Sequence, residues 1–145
     1  MTASGTMRRL DDTEVAELLD SDAVARLATV DADGYPHVTP IWFLWADGLI
    51  RLTSYADRPH LDRIRADPRG GLVVDTEAAQ RSDGERPNRQ VRIIGDATVA
   101  VDIGGEWTRR IRRKYLGAAA EAPPSTGERA VITLRPRHFH AVASV

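Results

Sequence analysis

A short segment between residues 51 and 60 carries side chains that could bind a phosphate group. Among its hydroxyl and cationic side chains are Arg51, Thr53, Ser54, Arg58 and His60. A helix is expected to begin at the end of this segment. The free N–H groups and the positive dipole of a helix N-terminus attract phosphate, and arginine adds a charge-assisted hydrogen bond. The pattern also fits a simpler hypothesis, in which Ser54 or Asp57 only caps the helix and the arginines face water.

The preceding segment, residues 38–42, could contact the polar edge of a planar ring. It lies in an apolar run that reads as a strand, but Pro40 has no N–H to donate, so this position must be a bulge or a sheet edge with open backbone groups. Trp42 and Phe43 could stack on a ring, whereas we assign Trp45 to the core, the commoner place for large aromatics on a central strand. The two segments together predict one site with a ring-binding and a phosphate-binding part.

Two other features are assigned structural roles. His138 and His140 are two residues apart on the last strand, which puts them on one face, but no third ligand is near and we predict no metal site. The helical pattern at 106–116 has a strongly basic face. Acidic residues elsewhere bring the formal net charge to −1, so we interpret this face as solvated and expect no nucleic-acid partner.

The composition is that of one globular domain. The chain has 145 residues, of which 42% are hydrophobic and 28% charged, and it has no cysteine. We predict a flexible N-terminal tail at 1–9 and a single domain at 10–145. No segment approaches the roughly 20 apolar residues that span a bilayer, so we expect no membrane partner and a cytoplasmic location.

Periodicity and turn residues divide the domain mostly into strands. Helices are predicted at about 12–20, 58–67 and 106–116, with strands at 24–30, 37–46, 49–54, 72–74, 90–102 and, split at Pro136, 130–134 with 139–145. Gly95 predicts a bulge, Asp57 a helix cap, and residues 77–88 a mobile loop. Hairpins without a βαβ rhythm favour a mainly β fold, a small antiparallel barrel with helical covers.

The order and spacing of these segments resemble the pyridoxamine-phosphate-oxidase-like split-barrel proteins, including their flavin- and deazaflavin-dependent reductase branches. The resemblance covers most of the chain and is carried by Leu27–His37, Thr39–Phe43, Ile50–Ser54, Leu61–Arg69 and Val91–Ala97. It implies a mainly β, antiparallel six-stranded split β-barrel with short covering helices. It also implies a homodimer that binds FMN or the deazaflavin coenzyme F420 across its interface.

Site residues follow from the resemblance position by position. The cofactor ring would be lined by Val38, Thr39, Pro40, Ile41 and Trp42, and its phosphate by Arg51, Thr53, Ser54 and Arg58. His60 stands where many members have lysine, which makes it a pH-sensitive substitute.

The resemblance implies an oxidoreductase that acts on a small organic substrate. Such enzymes leave the redox step to the cofactor, so we predict no catalytic acid or base. The alternative is a non-catalytic split-barrel protein that holds a cofactor or other ligand for storage or sensing.

Overall fold

One antiparallel sheet of eight strands makes up most of the computed structural model, which describes residues 6–118 and 127–144. The strands are β1 Met7–Arg9, β2 Ala25–Val30, β3 Pro36–Ile41, β4 Phe43–Ala46, β5 Leu49–Tyr55, β6 Arg69–Glu77, β7 Asn88–Val101 and β8 Arg129–Ser144. The α-helices of the described residues are α1 Asp12–Asp20, α2 Pro59–Ala66 and α3 Glu106–Leu116, the last preceded by a short 3-10 turn at Ile103–Gly105. This confirms the mainly β class.

The two end strands of the sheet are consecutive in the chain. The strand order is β3-β2-β6-β7-β8-β5-β4, and only Trp42 separates β3 from β4. The segment 36–46 therefore pairs with β2 through its first half and with β5 through its second half. This arrangement closes the sheet into the predicted barrel.

The sheet has eight strands where six were predicted, for two reasons. Met7–Arg9, which we assigned to the tail at 1–9, pairs with β8, while residues 1–5 lie outside the described part of the chain. The predicted strand 37–46 is two strands, because its halves have different neighbours and the chain must turn at Trp42.

Side chains of β5 alternate between the barrel interior and its outer face. Ile50, Leu52 and Ser54 are buried, whereas Arg51 and Thr53 point outward and are only partly covered. Fully buried residues from all parts of the chain fill the interior, among them Leu19, Leu27, Phe43, Leu61, Ile93, Ile132 and Leu134. The alternation thus divides the predicted phosphate-binding residues of β5 between two sides of the sheet.

The helix ends follow their caps. Asp11 caps α1 through a reciprocal capping box with Glu14. The predicted cap of α2 by Asp57 is wrong, because Arg58 is the N-cap residue and no side chain caps this helix. Within the described ranges, no helix is long and apolar enough to cross a membrane.

The middle of the chain contains more strand than we predicted. Gly70 and Gly71, which we placed before a short strand at 72–74, lie inside the longer strand β6, where Gly71 pairs with Ala28 and Ile94. The predicted bulge at Gly95 is confirmed by a register shift between β7 and β8 at Ile94 and Gly95. A Cβ at Gly95 would overlap the carbonyl oxygen of Arg135, so only glycine fits there without a backbone shift.

Replacement of Gly95 by alanine is expected to lower the free energy of unfolding by about 1–3 kcal/mol, the usual cost of overpacking. The matched control is Gly71→Ala in the neighbouring strand, where a Cβ would meet the carbonyl oxygen of Ile93 at an ordinary 3.6 Å. Urea denaturation of both variants measures the difference. Equal stability of the Gly95→Ala variant and wild type would show that β8 can move away from the bulge.

Candidate functional site

The predicted ring-binding strand lies at an edge. β3 is an end strand and pairs with β2 alone in the described sheet, which confirms the edge position predicted from Pro40. Val38 and Pro40 are exposed on the outer face, whereas Thr39 and Ile41 are half-buried toward the interior. The free side of this strand offers backbone donors and acceptors that no neighbouring strand uses.

The indole of Trp42 already has a partner. It stacks on the ring of Tyr115 in α3 with 4.6 Å between ring centroids and an interplanar angle of 4°. One face of Trp42 is therefore covered, and a planar ligand bound along β3 would meet its other face or its edge. Sequence reasoning did not identify Tyr115, although the spacing of Trp107, Ile111 and Tyr115 predicts that all three face the barrel.

Arg51 is held against α3 by an aromatic side chain. Its guanidinium lies 4.4 Å from the ring centroid of Trp107, and that of Arg110 lies 4.4 Å from the same ring. The Nε of Arg51 is buried and has no hydrogen-bond partner among the described residues. Stacking therefore fixes this cation without neutralising it.

A second aromatic side chain holds two arginines at the end of β5. The guanidinium of Arg129 lies 4.4 Å from the ring centroid of Tyr55, and that of Arg58 lies 5.3 Å from it. Tyr55, Arg58 and the neighbouring Asp57 line a cleft of about 320 Å³, which Glu128 borders from the other side. The start of α2 and the residues just before β8 thus share one cleft, lined by the guanidinium of Arg58 and by two carboxylates.

The cations of these two stacks share one electrostatic property. They are Arg51, Arg58, Arg110 and Arg129, and within the described ranges none of them has a carboxylate oxygen within 4.0 Å. Guanidinium groups held in place without a carboxylate partner are suited to bind phosphate oxygens, often through two parallel hydrogen bonds.

His60 and Ser54 form a separate, buried pair. The Nε2 of His60 lies 3.2 Å from the Oγ of Ser54, and only 7% of His60 is exposed. Burial, together with the charges of Arg63 and Arg58, holds the pKa of His60 below its ordinary value of 6.5. His60 is therefore mostly neutral at pH 7, so the arginines supply the main cationic groups near the start of α2.

A buried carboxylate that the sequence analysis missed anchors the start of α3. Asp102 accepts hydrogen bonds from the backbone N–H groups of Trp107 at 3.0 Å and Thr108 at 2.9 Å, and from the Thr108 hydroxyl at 2.6 Å. Only 4% of Asp102 is exposed. The signal that could have revealed it is an aspartate a few residues before a helix that begins after two glycines.

His138 and His140 lie in another place, at a cavity of about 580 Å³ that Trp45 and Phe139 also line. Both histidines are exposed, and the described residues contain no cluster of three metal-ligating side chains. Trp45 is packed against the core, as predicted. None of the predicted cofactor-binding residues lines this cavity.

Comparisons with known proteins agree with this architecture. The family model described as pyridoxamine 5'-phosphate oxidase matches residues 11–143. An F420 reductase structure is 27% identical, with a TM-score of 0.66, over 86% of this chain and 94% of its own. Two structures with lower identity share the fold. A FAD-binding protein from Mesorhizobium loti is 20% identical, with a TM-score of 0.69, over 96% of this chain and 98% of its own.

The second is a FAD and haem binding protein from Mycobacterium smegmatis, 17% identical with a TM-score of 0.72, covering 96% of this chain and 72% of its own. Among curated protein sequences, none matches significantly.

The burial of His60 predicts a change in stability with pH. Because its pKa is lowered in the folded state, the unfolded chain binds more protons below pH 6.5, and folding loses stability as the pH falls. We expect a His60→Gln variant, which keeps a hydrogen-bonding group toward Ser54, to lose less stability than wild type between pH 7 and pH 5. Parallel urea titrations at these pH values measure the difference. Identical pH dependence of the variant and wild type would show that His60 does not cause the loss of stability.

Proposed function

Because the chain belongs to the pyridoxamine 5'-phosphate oxidase family, we propose that it is an oxidoreductase that binds FMN or the deazaflavin F420 and acts on a small organic substrate. The cofactor would lie across a dimer interface. When bound, it supplies the electron or hydride transfer. The protein residues bind it, orient it and shape the space above its ring.

The observation that carries this proposal is the connection from β3 through Trp42 to β4, the strand that pairs with β5. Only Trp42 separates β3 from β4, and in β4 Leu44 pairs with Arg51 and Phe43 with Leu52 of β5. A free strand edge suited to a planar polar ring is therefore followed, one residue later, by the strand that pairs with Arg51, a cation without a carboxylate partner. This order matches a molecule with a ring at one end and a phosphate at the other.

Each part of the site has a task in cofactor binding. Arg51 and Arg58 would hold the phosphate by charge-assisted hydrogen bonds, and Thr53 would donate its hydroxyl from the same face of the sheet. The backbone groups of 38–42 would meet the polar edge of the ring, while Val38 and Pro40 contact its apolar part. Ser54 and His60, which point inward, would support the start of α2 rather than contact the phosphate themselves.

The 27% identical F420 reductase supports the deazaflavin as one candidate. The phosphate end is common to FMN and F420, so the cationic residues do not choose between them. Titration of the purified protein with FMN and separately with oxidised F420, followed by tryptophan fluorescence, identifies the cofactor. Absence of binding to both would contradict the proposal. Binding without turnover in a screen of small reducible substrates would favour the storage or sensing alternative.

An uncovered sheet face supports a homodimer. By cross-strand register, Val38, Ala28, Gly71, Ile94 and His138 form one row across the outer faces of β3, β2, β6, β7 and β8. Val38 is 64% and Ile94 61% exposed. Apart from His138, the members of this row are small or apolar. Such side chains on the exposed outer face of a sheet are typical of a surface that another subunit covers, and this row begins at the predicted ring-binding strand.

Replacement of Arg51 by methionine is expected to weaken binding of the cofactor roughly ten- to hundredfold, because a hydrogen bond to a charged group contributes about 1.5–3 kcal/mol. Methionine keeps the apolar length that packs against Trp107. The matched control is Arg65→Met on the exposed side of α2, which removes the same charge from a residue paired with Asp62. Equal affinity of the Arg51→Met and Arg65→Met variants would remove Arg51 from the site.

Replacement of Ile94 by lysine is expected to convert the dimer into a monomer, since two-fold symmetry would bury at least two new charges in the interface. Light scattering coupled to size exclusion measures the mass of each species. The control is Ile103→Lys, which changes an 83% exposed isoleucine in the turn before α3. A dimer that survives Ile94→Lys but not Ile103→Lys would place the interface elsewhere.

A further inference from the structure

The last turn of α3 contacts the point where the chain crosses from one end of the sheet to the other. Lys114, the only lysine of the chain, donates to the carbonyl oxygens of Leu19 at 2.9 Å and Phe43 at 3.1 Å. Its ammonium also lies 3.6 Å from the ring centroid of Phe43. One side chain thus joins the end of α1, the start of β4 and α3.

Tyr115 makes the complementary contacts. Its hydroxyl donates to the carbonyl oxygen of Ala23 at 2.9 Å and accepts from the backbone N–H of Phe43 at 3.4 Å, while its ring stacks on Trp42. Burial raises the pKa of the phenol above its ordinary value. Tyr115 therefore stays protonated at neutral pH and remains a donor toward Ala23.

Lys114 keeps its charge at neutral pH as well. Burial lowers its pKa to about 8, while the nearby carboxylates of Asp20 and Asp22 oppose this shift. At pH 7 most molecules therefore carry the ammonium that contacts the Phe43 ring.

These contacts satisfy backbone groups of β4 that would otherwise pair with a further strand. β4 is an end strand whose one neighbour in the described sheet is β5, so alternate backbone groups of β4 point away from the sheet. At Phe43 the outward N–H meets the Tyr115 hydroxyl and the outward carbonyl meets the Lys114 ammonium. Two side chains of α3 thus supply the acceptor and the donor that a further strand would have offered.

We propose that Lys114 and Tyr115 are positioning residues for cofactor binding, which hold the Trp42–Phe43 junction and thereby fix the ring-binding segment 38–42. The proposal rests on the function proposed above. A free strand edge binds a rigid ring well only when its backbone is already ordered, because ordering it on binding costs affinity. β3 has support from β2 on one side only, and the junction after Ile41 is where α3 adds a second support.

The test compares variants at the end of α3 in the full-length protein. Lys114→Met removes the donors and the charge, and Tyr115→Leu removes the stack and the hydroxyl. Lys114→Arg keeps the positive charge and N–H donors, and Tyr115→Phe keeps the ring that stacks on Trp42. The control Leu116→Ala changes an exposed neighbour in the same turn. Hydrogen–deuterium exchange of the amides in 36–46 and the dissociation constants for FMN and oxidised F420 are measured where circular dichroism shows each variant folded.

We expect Lys114→Met and Tyr115→Leu to speed exchange in 36–46 and to weaken cofactor binding about tenfold, equivalent to about 1.4 kcal/mol. Lys114→Arg should recover most of the affinity, and Leu116→Ala should match wild type. If Lys114→Met and Tyr115→Leu do not fold, Tyr115→Phe is compared with Leu116→Ala in their place. The expected loss of cofactor affinity in Tyr115→Phe is then smaller.

Faster exchange with unchanged affinity would show that the contacts serve stability alone and would overturn the positioning role. Unchanged exchange in 36–46 would show that Lys114 and Tyr115 do not order the junction, and this would overturn the proposal. Failure of the proposed function is distinguishable from both outcomes: wild-type protein would then bind neither FMN nor F420, whereas the exchange rates would still show whether α3 orders the junction.

Discussion

The segment from Pro36 to Ala46 belongs to both ends of the sheet, and this constrains the rest of the molecule. Because the chain must leave β2 and join β5 within one residue, Trp42 has no place in either strand ladder. The junction is then a weak point in a barrel in which β2, β5, β6, β7 and β8 each pair on both sides. It is also the point where the proposed ring-binding segment ends and the strand paired with the proposed phosphate-binding segment begins. The geometry of the candidate site therefore depends on how well this junction is held in place.

Helix α3 supports the junction and is itself held by polar contacts at both of its ends. Asp102 satisfies the first N–H groups of the helix from a buried position, while Lys114 and Tyr115 bind backbone groups of Leu19, Ala23 and Phe43 at the other end. A helix whose exposed side is so basic gains little from apolar burial there. Directed hydrogen bonds give it a definite orientation, and this in turn sets the position of Trp107 against Arg51 and of Tyr115 against Trp42.

Local patterns in the sequence predicted most elements because each depends on neighbouring residues. Alternation located the strands, turn residues located the hairpins, and Gly95 identified the bulge. Pairings between distant segments were beyond that reasoning: the division of 37–46 at Trp42 follows from its two different neighbours, and the strand at Met7–Arg9 follows from its pairing with β8. The inward position of His60 likewise depends on how α2 packs against Ser54.

The electrostatics of the site follow from the same alternation. A lysine at the position of His60 would bring a charge close to the core, whereas here a neutral imidazole bonds Ser54, and the positive charge lies on the outer face of β5. A stacked guanidinium suits that face, because an aromatic ring covers its plane and leaves its N–H groups free in that plane for an anion. A lysine ammonium has no such plane, and the contacts that hold Lys114 occupy N–H donors of the ammonium itself. The aromatic side chains at Trp107 and Tyr55 thus fix the arginines without neutralising them.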